Sequence, residues 1–144
     1  MEHIIVGTDG LTRESVLELY SALNWVMYTR DPDSLFRAIL NSTYVVTIRE
    51  GDRLTGLARC ISDDVAINYL QDILVLPDNQ RKGIGRKLLE NCLERFKHVR
   101  THVILTDNEE RQRAFYESLG YKNTQDLKKT CLNCYVKMQG VELE

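Results

Sequence analysis

The chain has 144 residues, close to the roughly 150 of one globular domain, so the sequence predicts a single domain over residues 1–144. Apolar residues make up 43% and charged residues 28%, which is ordinary globular usage and excludes a disordered chain. The 19 lysines and arginines stand against 21 aspartates and glutamates, and the net charge of −2 excludes a general nucleic-acid-binding surface.

Three further features predict a cytoplasmic protein without a membrane partner. No apolar run approaches the roughly 18 residues of a membrane helix. The first six residues lack the basic region and the cleavage site of a signal peptide. The 4 cysteines of a chain that is long enough to form a core predict free thiols in a reducing compartment.

The first half of the chain predicts a strand, two helices and a hairpin. The strand over 3–7 ends at glycines, and Thr12 can cap a helix whose apolar residues recur at helical spacing. Asp31 and the proline that follows it start a second helix. Alternating residues then predict strands over 43–49 and 54–61, joined by a short hairpin connection.

The second half predicts strands that alternate with helices. A strand over 66–76 is apolar on both faces at its end, which is typical of the middle of a sheet. A buried strand over 102–106 follows the next helix, and a capping box at Asp107 starts a helix that Gly120 ends. A last strand over 131–138 completes the order β-α-α-β-β-β-α-β-α-β, which predicts a mixed α/β fold.

Residues 80–87 form a basic segment with two glycines at a strand-to-helix junction. A helix N-terminus already carries partial positive charge and unpaired N–H groups, so the cations here are locally unfavourable. Glycines let a backbone approach a ligand closely, and the exposed amides then act as donors. The segment predicts an anion site, most simply for a pyrophosphate. The alternative is a solvated basic turn whose glycines only make the bend.

The segment departs from two other phosphate-binding patterns. A P-loop would need G-x-x-x-x-G-K-[ST], which is absent. A dinucleotide-binding fingerprint needs G-x-G-x-x-G, and Gly83 and Gly85 fit it, but Leu88 occupies the third glycine position. Asp107 follows Gly85 by 22 positions, near the place of the ribose-binding acidic residue in that fingerprint. A dinucleotide site therefore stays open as an alternative.

Two motifs in the right order resemble the GNAT acetyltransferase superfamily. Gln80-x-x-Gly83-x-Gly85, after a strand and opening an amphipathic helix, resembles its acyl-CoA-binding signature. Residues 114–121, Ala-Phe-Tyr-Glu-Ser-Leu-Gly-Tyr, are similar to its A-F-Y-x-x-L-G-[FY] segment. The resemblance covers nearly the whole chain and is nearest to the small bacterial and arylalkylamine-like members. It implies a single-domain fold with a central, mostly antiparallel sheet flanked by helices.

The resemblance also implies where acetyl-CoA binds. The backbone amides of residues 81–86 would hold the pyrophosphate, and the strand end at 73–76 would pair with the pantetheine arm. The Val75 N–H would stabilise charge on the thioester oxygen, and Tyr116 would be the general acid for the departing thiolate. For Tyr116 the alternative is a half-buried aromatic that packs under the sheet. The implied coenzyme-binding residues are Ile73, Leu74, Val75, Leu76, Gln80, Arg81, Lys82, Gly83, Ile84, Gly85, Arg86 and, at a looser spacing, Asn108.

The acceptor side carries fewer signals. An amine must lose a proton before or during its attack, so a base or a water chain is needed. Asp72 is the predicted base, because a carboxylate inside a central strand needs a partner or a task; the alternative is a salt-bridged or solvent-exposed aspartate. Residues 25–28, between the first two helices, fall where the family has its acceptor loop. Their aromatic rings would suit a flat or aromatic amine, and helix-end packing is the alternative.

The sequence thus predicts an N-acetyltransferase that moves an acetyl group from acetyl-CoA to a primary amine of a small molecule or peptide, by direct attack in a ternary complex. A non-catalytic acyl-CoA-binding module of the same fold stays open beside the dinucleotide alternative. No metal is expected, because Cys131 and Cys134 would point to opposite faces of a strand. A homodimer is expected, because proteins of this fold often pair and the last strand would offer an edge.

Overall fold

The computed structural model covers residues 1–144 and divides the chain into two units, Met1–Leu105 and Thr106–Glu144. Each unit is described by itself, and the single domain over 1–144 stays a prediction. The first unit contains β1 (Glu2–Val6), α1 (Arg13–Ala22), α2 (Val26–Thr29), α3 (Pro32–Leu40), β2 (Tyr44–Glu50), β3 (Arg53–Ser62), β4 (Ile67–Val75), α4 (Ile84–Arg95) and β5 (Thr101–Ile104). The second contains α5 (Glu110–Ser118) and the 3-10 turn Thr124–Asp126.

The five strands form one sheet in chain order, β1-β2-β3-β4-β5. The first four pair antiparallel, and only β4 and β5 are parallel. The parallel pair needs a crossover, which α4 supplies, whereas antiparallel neighbours can follow one another through short connections. The predicted mixed α/β class and mostly antiparallel sheet are confirmed.

Different helices cover the two faces of the sheet. On one face, α1 and α3 bury residues such as Leu19 and Ile39 against Leu57 of β3. On the other face, α4 lies so close to β3 that a Cβ added at Gly56 would stand 2.9 Å from Ile84 Cγ2 and 3.0 Å from Leu88 Cδ1. Gly56 therefore lets the first turns of α4 approach the sheet.

The helix starts follow the capping chemistry that the sequence predicts. The Thr12 side chain accepts a hydrogen bond from the Ser15 N–H, and Ser15 completes the capping box. Asp31 caps α3, whose first residue is the expected proline. The predicted break between these helices contains the four-residue helix α2. No helix combines the length and the apolar run needed to cross a membrane.

The predictions for the C-terminal third need correction. The segment 131–138 is not a strand, because a period-2 pattern forms one only beside a partner ladder, and the second unit has no other strand. α5 has Glu109 as its N-cap without a side-chain bond, so the capping box at Asp107 is wrong. β5 is shorter than predicted and only partly buried, because it is the last strand of the sheet. Gly120, with φ +94°, does end α5 as predicted.

Candidate active site

Strand β4 has two partner strands along its first half and one along its second. Its pairing with β5 ends at Leu70, opposite Ile104. Its pairing with β3 continues to Val75, opposite Gly56. Residues 71–75 of β4 therefore have no partner on the side turned away from β3, and we call this side the open edge.

The backbone groups of Val75 and Ile73 point to the open edge. The Leu76 N–H donates to the Thr55 carbonyl over 2.8 Å, which makes Val75 and Gly56 a pair without mutual hydrogen bonds. In such a pair, the N–H and C=O of each residue point away from the partner strand. The alternation of an antiparallel ladder gives Ile73 the same orientation. Both residues thus offer extended backbone groups to a ligand lying along the edge.

The predicted residues at this strand end differ in what they present. Leu74 and Leu76 are buried in the core cluster, so their side chains contribute packing. Ile73 and Val75 are half-buried. The Gln80 side chain donates from Nε2 to the Val75 carbonyl over 3.0 Å, which links the predicted anion-binding segment to the open edge.

The start of α4 is uncapped and forms the predicted turn of amide donors. Gly83 is the N-cap with φ +82° and no side-chain bond, and Arg81 also has a positive φ of 63°. The first intrahelical bond runs from the Lys87 N–H to the Gly83 carbonyl over 3.0 Å. The N–H groups of Ile84 and Gly85 therefore have no intrahelical acceptor. Left-handed residues in a turn before a helix make an anion-binding concavity of this kind.

The four cations of this segment divide into two pairs. Arg86 forms an ion pair with Glu90 over 3.1 Å, and Lys87 one with Glu2 over 3.1 Å, so carboxylates offset their place in the first turn of α4. Arg81 and Lys82 are exposed and have no ion pair. These two remain beside the uncapped amides as positive charge available to an anion.

Asp72 lies in a buried cluster of polar groups on the α1 and α3 face. Its Oδ2 is 2.5 Å from Arg59 Nε, and only 3% of Asp72 and 5% of Arg59 is exposed. The Tyr20 hydroxyl donates to Oδ2 over 2.9 Å, and the Tyr28 hydroxyl donates to Oδ1 over 2.8 Å. Of the two interpretations of Asp72, the contacts favour the salt-bridged one, because Arg59 and the two tyrosine hydroxyls occupy both oxygens of the carboxylate.

The two tyrosines of this cluster keep their protons at neutral pH. Burial, and secondarily the charge of Asp72, raises the pKa of the Tyr20 hydroxyl well above its ordinary value. The same two causes raise the pKa of Tyr28, which is only half-buried. Both hydroxyls are therefore donors to Asp72, and the direction of each hydrogen bond is settled.

Tyr116 lies in α5 of the second unit, and its side chain is half-buried. Its ring meets those of Phe115 and Tyr121 edge-on, with centroids 5.1 and 5.9 Å away. Burial raises the pKa of Tyr116 to about 12, so its hydroxyl stays protonated at neutral pH. A general acid must carry its proton when the reaction begins, and this is the role that the family resemblance implies for the Tyr116 hydroxyl.

The remaining predicted residues lie on exposed segments. Asn108 is in an exposed bend between β5 and α5, and no contact supports its predicted place near the coenzyme. Asp107 is exposed in the same stretch, three residues after β5 ends. In the segment 25–28, Val26 and Met27 expose 62% and 59% of their surface, whereas Trp25 and Tyr28 pack against the core.

Sequence reasoning missed three residues of the polar cluster: Arg59, Tyr20 and Gln71. Arg59 stands inside the predicted strand over 54–61, and a cation that is buried there needs an anion, so its pairing with Asp72 could have been predicted. Tyr20 lies among the apolar residues at helical spacing in the helix that Thr12 caps, so the sequence indicates only packing for it. No sequence signal marks Gln71, whose position depends on a bulge in β4.

Comparisons with known proteins agree on one family. Residues 12–141 match the family model described as an acetyltransferase (GNAT) domain. The structure of SP0256, a GNAT-family acetyltransferase from Streptococcus pneumoniae TIGR4, superposes with a TM-score of 0.77 at 29% identity. It covers 95% of this chain and 98% of that one.

Two curated relatives match in sequence. The histone acetyltransferase TAP1 of Glycine max is 28% identical over 136 residues, which cover 85% of this chain and 57% of that protein. A Gibberella zeae protein described as an acetyltransferase is 35% identical over 71 residues, which cover 47% of this chain and 39% of that protein. The matches thus span about half the length of these relatives.

The buried pair makes a prediction about stability. Asp72→Asn leaves the Arg59 charge without its partner, so we expect the free energy of unfolding to fall by about 3–5 kcal/mol. Urea denaturation followed by the fluorescence of Trp25, the chain's 1 tryptophan, measures the change. The double variant Arg59→Met/Asp72→Leu removes both charges and is expected to regain most of the loss. Wild-type stability of Asp72→Asn would contradict the prediction.

Proposed function

Because the chain belongs to the GNAT acetyltransferase family, we propose that it transfers the acetyl group of acetyl-CoA to a primary amine by direct attack in a ternary complex. Membership of this family makes the chain an acyltransferase and sets the dinucleotide alternative aside. One observation carries the proposal: the open edge of β4 and the uncapped start of α4 are adjacent, and the hydrogen bond from Gln80 to the Val75 carbonyl connects them. An extended ligand with an anionic end fits that arrangement.

The residues present suit coenzyme A at both ends of this path. The uncapped amides at Ile84 and Gly85, with Arg81 and Lys82 beside them, would hold a pyrophosphate. The pantetheine arm carries two amide groups, which can pair with the backbone of Ile73 and Val75 as an added strand would. The bound coenzyme supplies an activated acetyl group as a thioester.

We assign the thioester oxygen to a backbone amide of the open edge. The Val75 N–H is the proposed donor, in an oxyanion-hole role. The Ile73 N–H also points to the open edge, two residues further from the uncapped start of α4, and is the alternative donor. Neither group is needed by the β3 ladder, so donation to a ligand would not weaken the sheet.

Tyr116 is the proposed general acid. As the nitrogen–carbon bond forms and the carbon–sulfur bond breaks, its hydroxyl would donate a proton to the departing thiolate. The raised pKa of about 12 supports a hydroxyl that is protonated when the reaction begins. The proton lost by the amine would leave through water. Asp72, which the sequence predicts as the base, would instead stay in its ion pair with Arg59.

The acceptor is proposed to bind beside α2. Val26 and Met27 are exposed there next to the half-buried ring of Tyr28, a combination that suits a primary amine with an apolar or aromatic body. A peptide amine is the second acceptor class, because one relative is named a histone acetyltransferase. A panel of 2-phenylethylamine, spermidine and a lysine-containing peptide tests both classes.

Coenzyme binding is the first measurement that tests the proposal. Calorimetric titration is expected to give micromolar affinity for acetyl-CoA, about −8 kcal/mol, and none for NADH or ATP. Gly83→Val should abolish binding, because a side chain there keeps the pyrophosphate from the amides. Gly7→Val is the matched control, because Gly7 also has a positive φ and open space around it. Gly7 follows one end of β1, whereas Glu2, which pairs with Lys87 in the first turn of α4, is at the other end. Absence of acetyl-CoA binding by the wild type would overturn the proposal.

The role of Tyr116 is tested by its hydroxyl alone. Tyr116→Phe is expected to lower kcat roughly 10²- to 10⁴-fold and to leave acetyl-CoA affinity unchanged. Because the pKa of Tyr116 is raised, the wild-type kcat should not fall through loss of this proton as the pH rises from neutrality toward about 10. Tyr121→Phe, which changes the neighbouring ring, should keep full activity. A wild-type rate for Tyr116→Phe would remove this residue from the mechanism.

We further propose that the enzyme works in the cytoplasm as a homodimer. Its 4 cysteines are free, which suits a reducing compartment. Leu132, Val136 and Met138 expose 57%, 40% and 48% of their surface and would share one face if the segment 131–138 became extended. A second copy of the chain could cover this apolar stripe.

Light scattering tests the pairing. The wild type is expected to have about twice the chain mass of 16.7 kDa, and Val136→Lys to be monomeric because it puts a charge in the apolar stripe. Asn133→Lys, on the alternate face, should leave the dimer intact. A monomeric wild type at micromolar concentration would contradict the proposal.

A further inference from the structure

Gln71 is the one residue of β4 between Leu70 and Val75 that has no partner on either neighbouring strand. Asp72 pairs with Arg59 and Leu70 pairs with Cys60, so Gln71 is the extra residue of a β-bulge. The pairing of β4 with β5 ends at the residue before it. Gln71 thus stands where the open edge begins.

The side chain of Gln71 is half-buried and held by one hydrogen bond. Its Nε2 donates to the Tyr28 hydroxyl oxygen over 2.9 Å, and that hydroxyl donates to Asp72 Oδ1 over 2.8 Å. Asp72 is in turn fixed by the Arg59 guanidinium. A chain of directed hydrogen bonds therefore runs from a buried cation out to a residue at the open edge.

This chain decides which way the Gln71 amide faces. An ionised carboxylate can only accept, so the proton of the Tyr28 hydroxyl is committed to Asp72. The same hydroxyl then accepts from Gln71, which must turn its NH₂ group toward Tyr28 and its Oε1 away. No group of the protein donates to Oε1, and its residue is partly exposed. The outcome is an oriented, neutral acceptor atom beside the open edge.

From this geometry we propose, on the basis of the function proposed above, that Gln71 positions the acceptor amine: its Oε1 accepts an N–H bond from the nitrogen that attacks. A neutral carbonyl oxygen suits this task better than a carboxylate. A carboxylate would favour the ammonium form, which has no lone pair for the attack, whereas an amide oxygen can align an N–H with less effect on the pKa of the amine. Tyr28 acts through Gln71 and is a positioning residue.

The two tyrosines of the cluster supply a matched control. Tyr20 and Tyr28 both donate to Asp72, but only Tyr28 contacts Gln71, and Tyr20 is fully buried. Loss of the Tyr20 hydroxyl should therefore affect stability and leave the orientation of Gln71 intact. Loss of the Tyr28 hydroxyl should free the amide to rotate.

Steady-state kinetics with saturating acetyl-CoA test the proposal, using whichever of 2-phenylethylamine, spermidine and the lysine-containing peptide the wild type acetylates fastest. Gln71→Met keeps an unbranched chain of similar length and removes the polar atoms. We expect it to raise the KM for the amine roughly threefold to tenfold, the value of one hydrogen bond, with unchanged acetyl-CoA affinity by calorimetry. Tyr28→Phe should raise the same KM, and the double variant should be no worse than Gln71→Met alone. Tyr20→Phe should leave the KM unchanged.

The outcomes separate this inference from the function on which it rests. A wild-type enzyme that turns over while Gln71→Met keeps its amine KM overturns the inference alone. Equal effects of Tyr20→Phe and Tyr28→Phe on that KM also overturn it, because they would indicate general loosening of the cluster. Absence of acetyl-CoA binding, or binding without turnover on all three amines, overturns the proposed function and the inference with it.

Discussion

The carboxylate of Asp72 is the group on which the arrangement of the first unit depends most. A charge with 3% exposure must be paired and hydrogen-bonded, because the desolvation of an isolated carboxylate would cost several kcal/mol. Its three donors come from different elements: Arg59 from β3, Tyr20 from α1 and Tyr28 from α2. Satisfying one carboxylate therefore fixes two helical segments against the sheet, and α2, only four residues long, owes its position to this contact and to its aromatic packing.

A second constraint comes from the bulge in β4. Side chains alternate along a strand, so Leu70 and Asp72 would share one face without an extra residue between them. Gln71 breaks that alternation: Leu70 pairs with Cys60, on the face toward α4, while Asp72 pairs with Arg59 on the opposite face. The bulge therefore lets one strand serve an apolar layer and a polar cluster in turn. The bulge also lies next to the end of the β4–β5 pairing, beyond which β4 has its open edge.

Local signals made much of this molecule predictable. Thr12 and Asp31 act as helix caps because capping depends on residues within one turn, and the strands that became β2, β3 and β4 follow from alternation and turn residues. The uncapped turn at Gly83 was predictable for the same reason. The bulge, the partners of Asp72 and the failure of residues 131–138 to form a strand were not predictable, because each depends on which segments meet in space. A period-2 pattern shows that a segment can form a strand, but it does not show whether a partner strand lies beside that segment.

The buried pair raises a question that stability alone does not answer. Apolar residues of similar volume often replace a buried ion pair without loss of stability, so the stability of the core does not by itself explain why this pair is charged. Such a replacement would pack the same space but would give Tyr28 no acceptor for its proton. The hydroxyl could then turn, and the Gln71 amide could present either its nitrogen or its oxygen outward. A charged pair differs from an apolar one in that it imposes direction on every hydrogen bond connected to it. In this protein that direction reaches the open edge of β4, where we propose that Gln71 orients the acceptor amine.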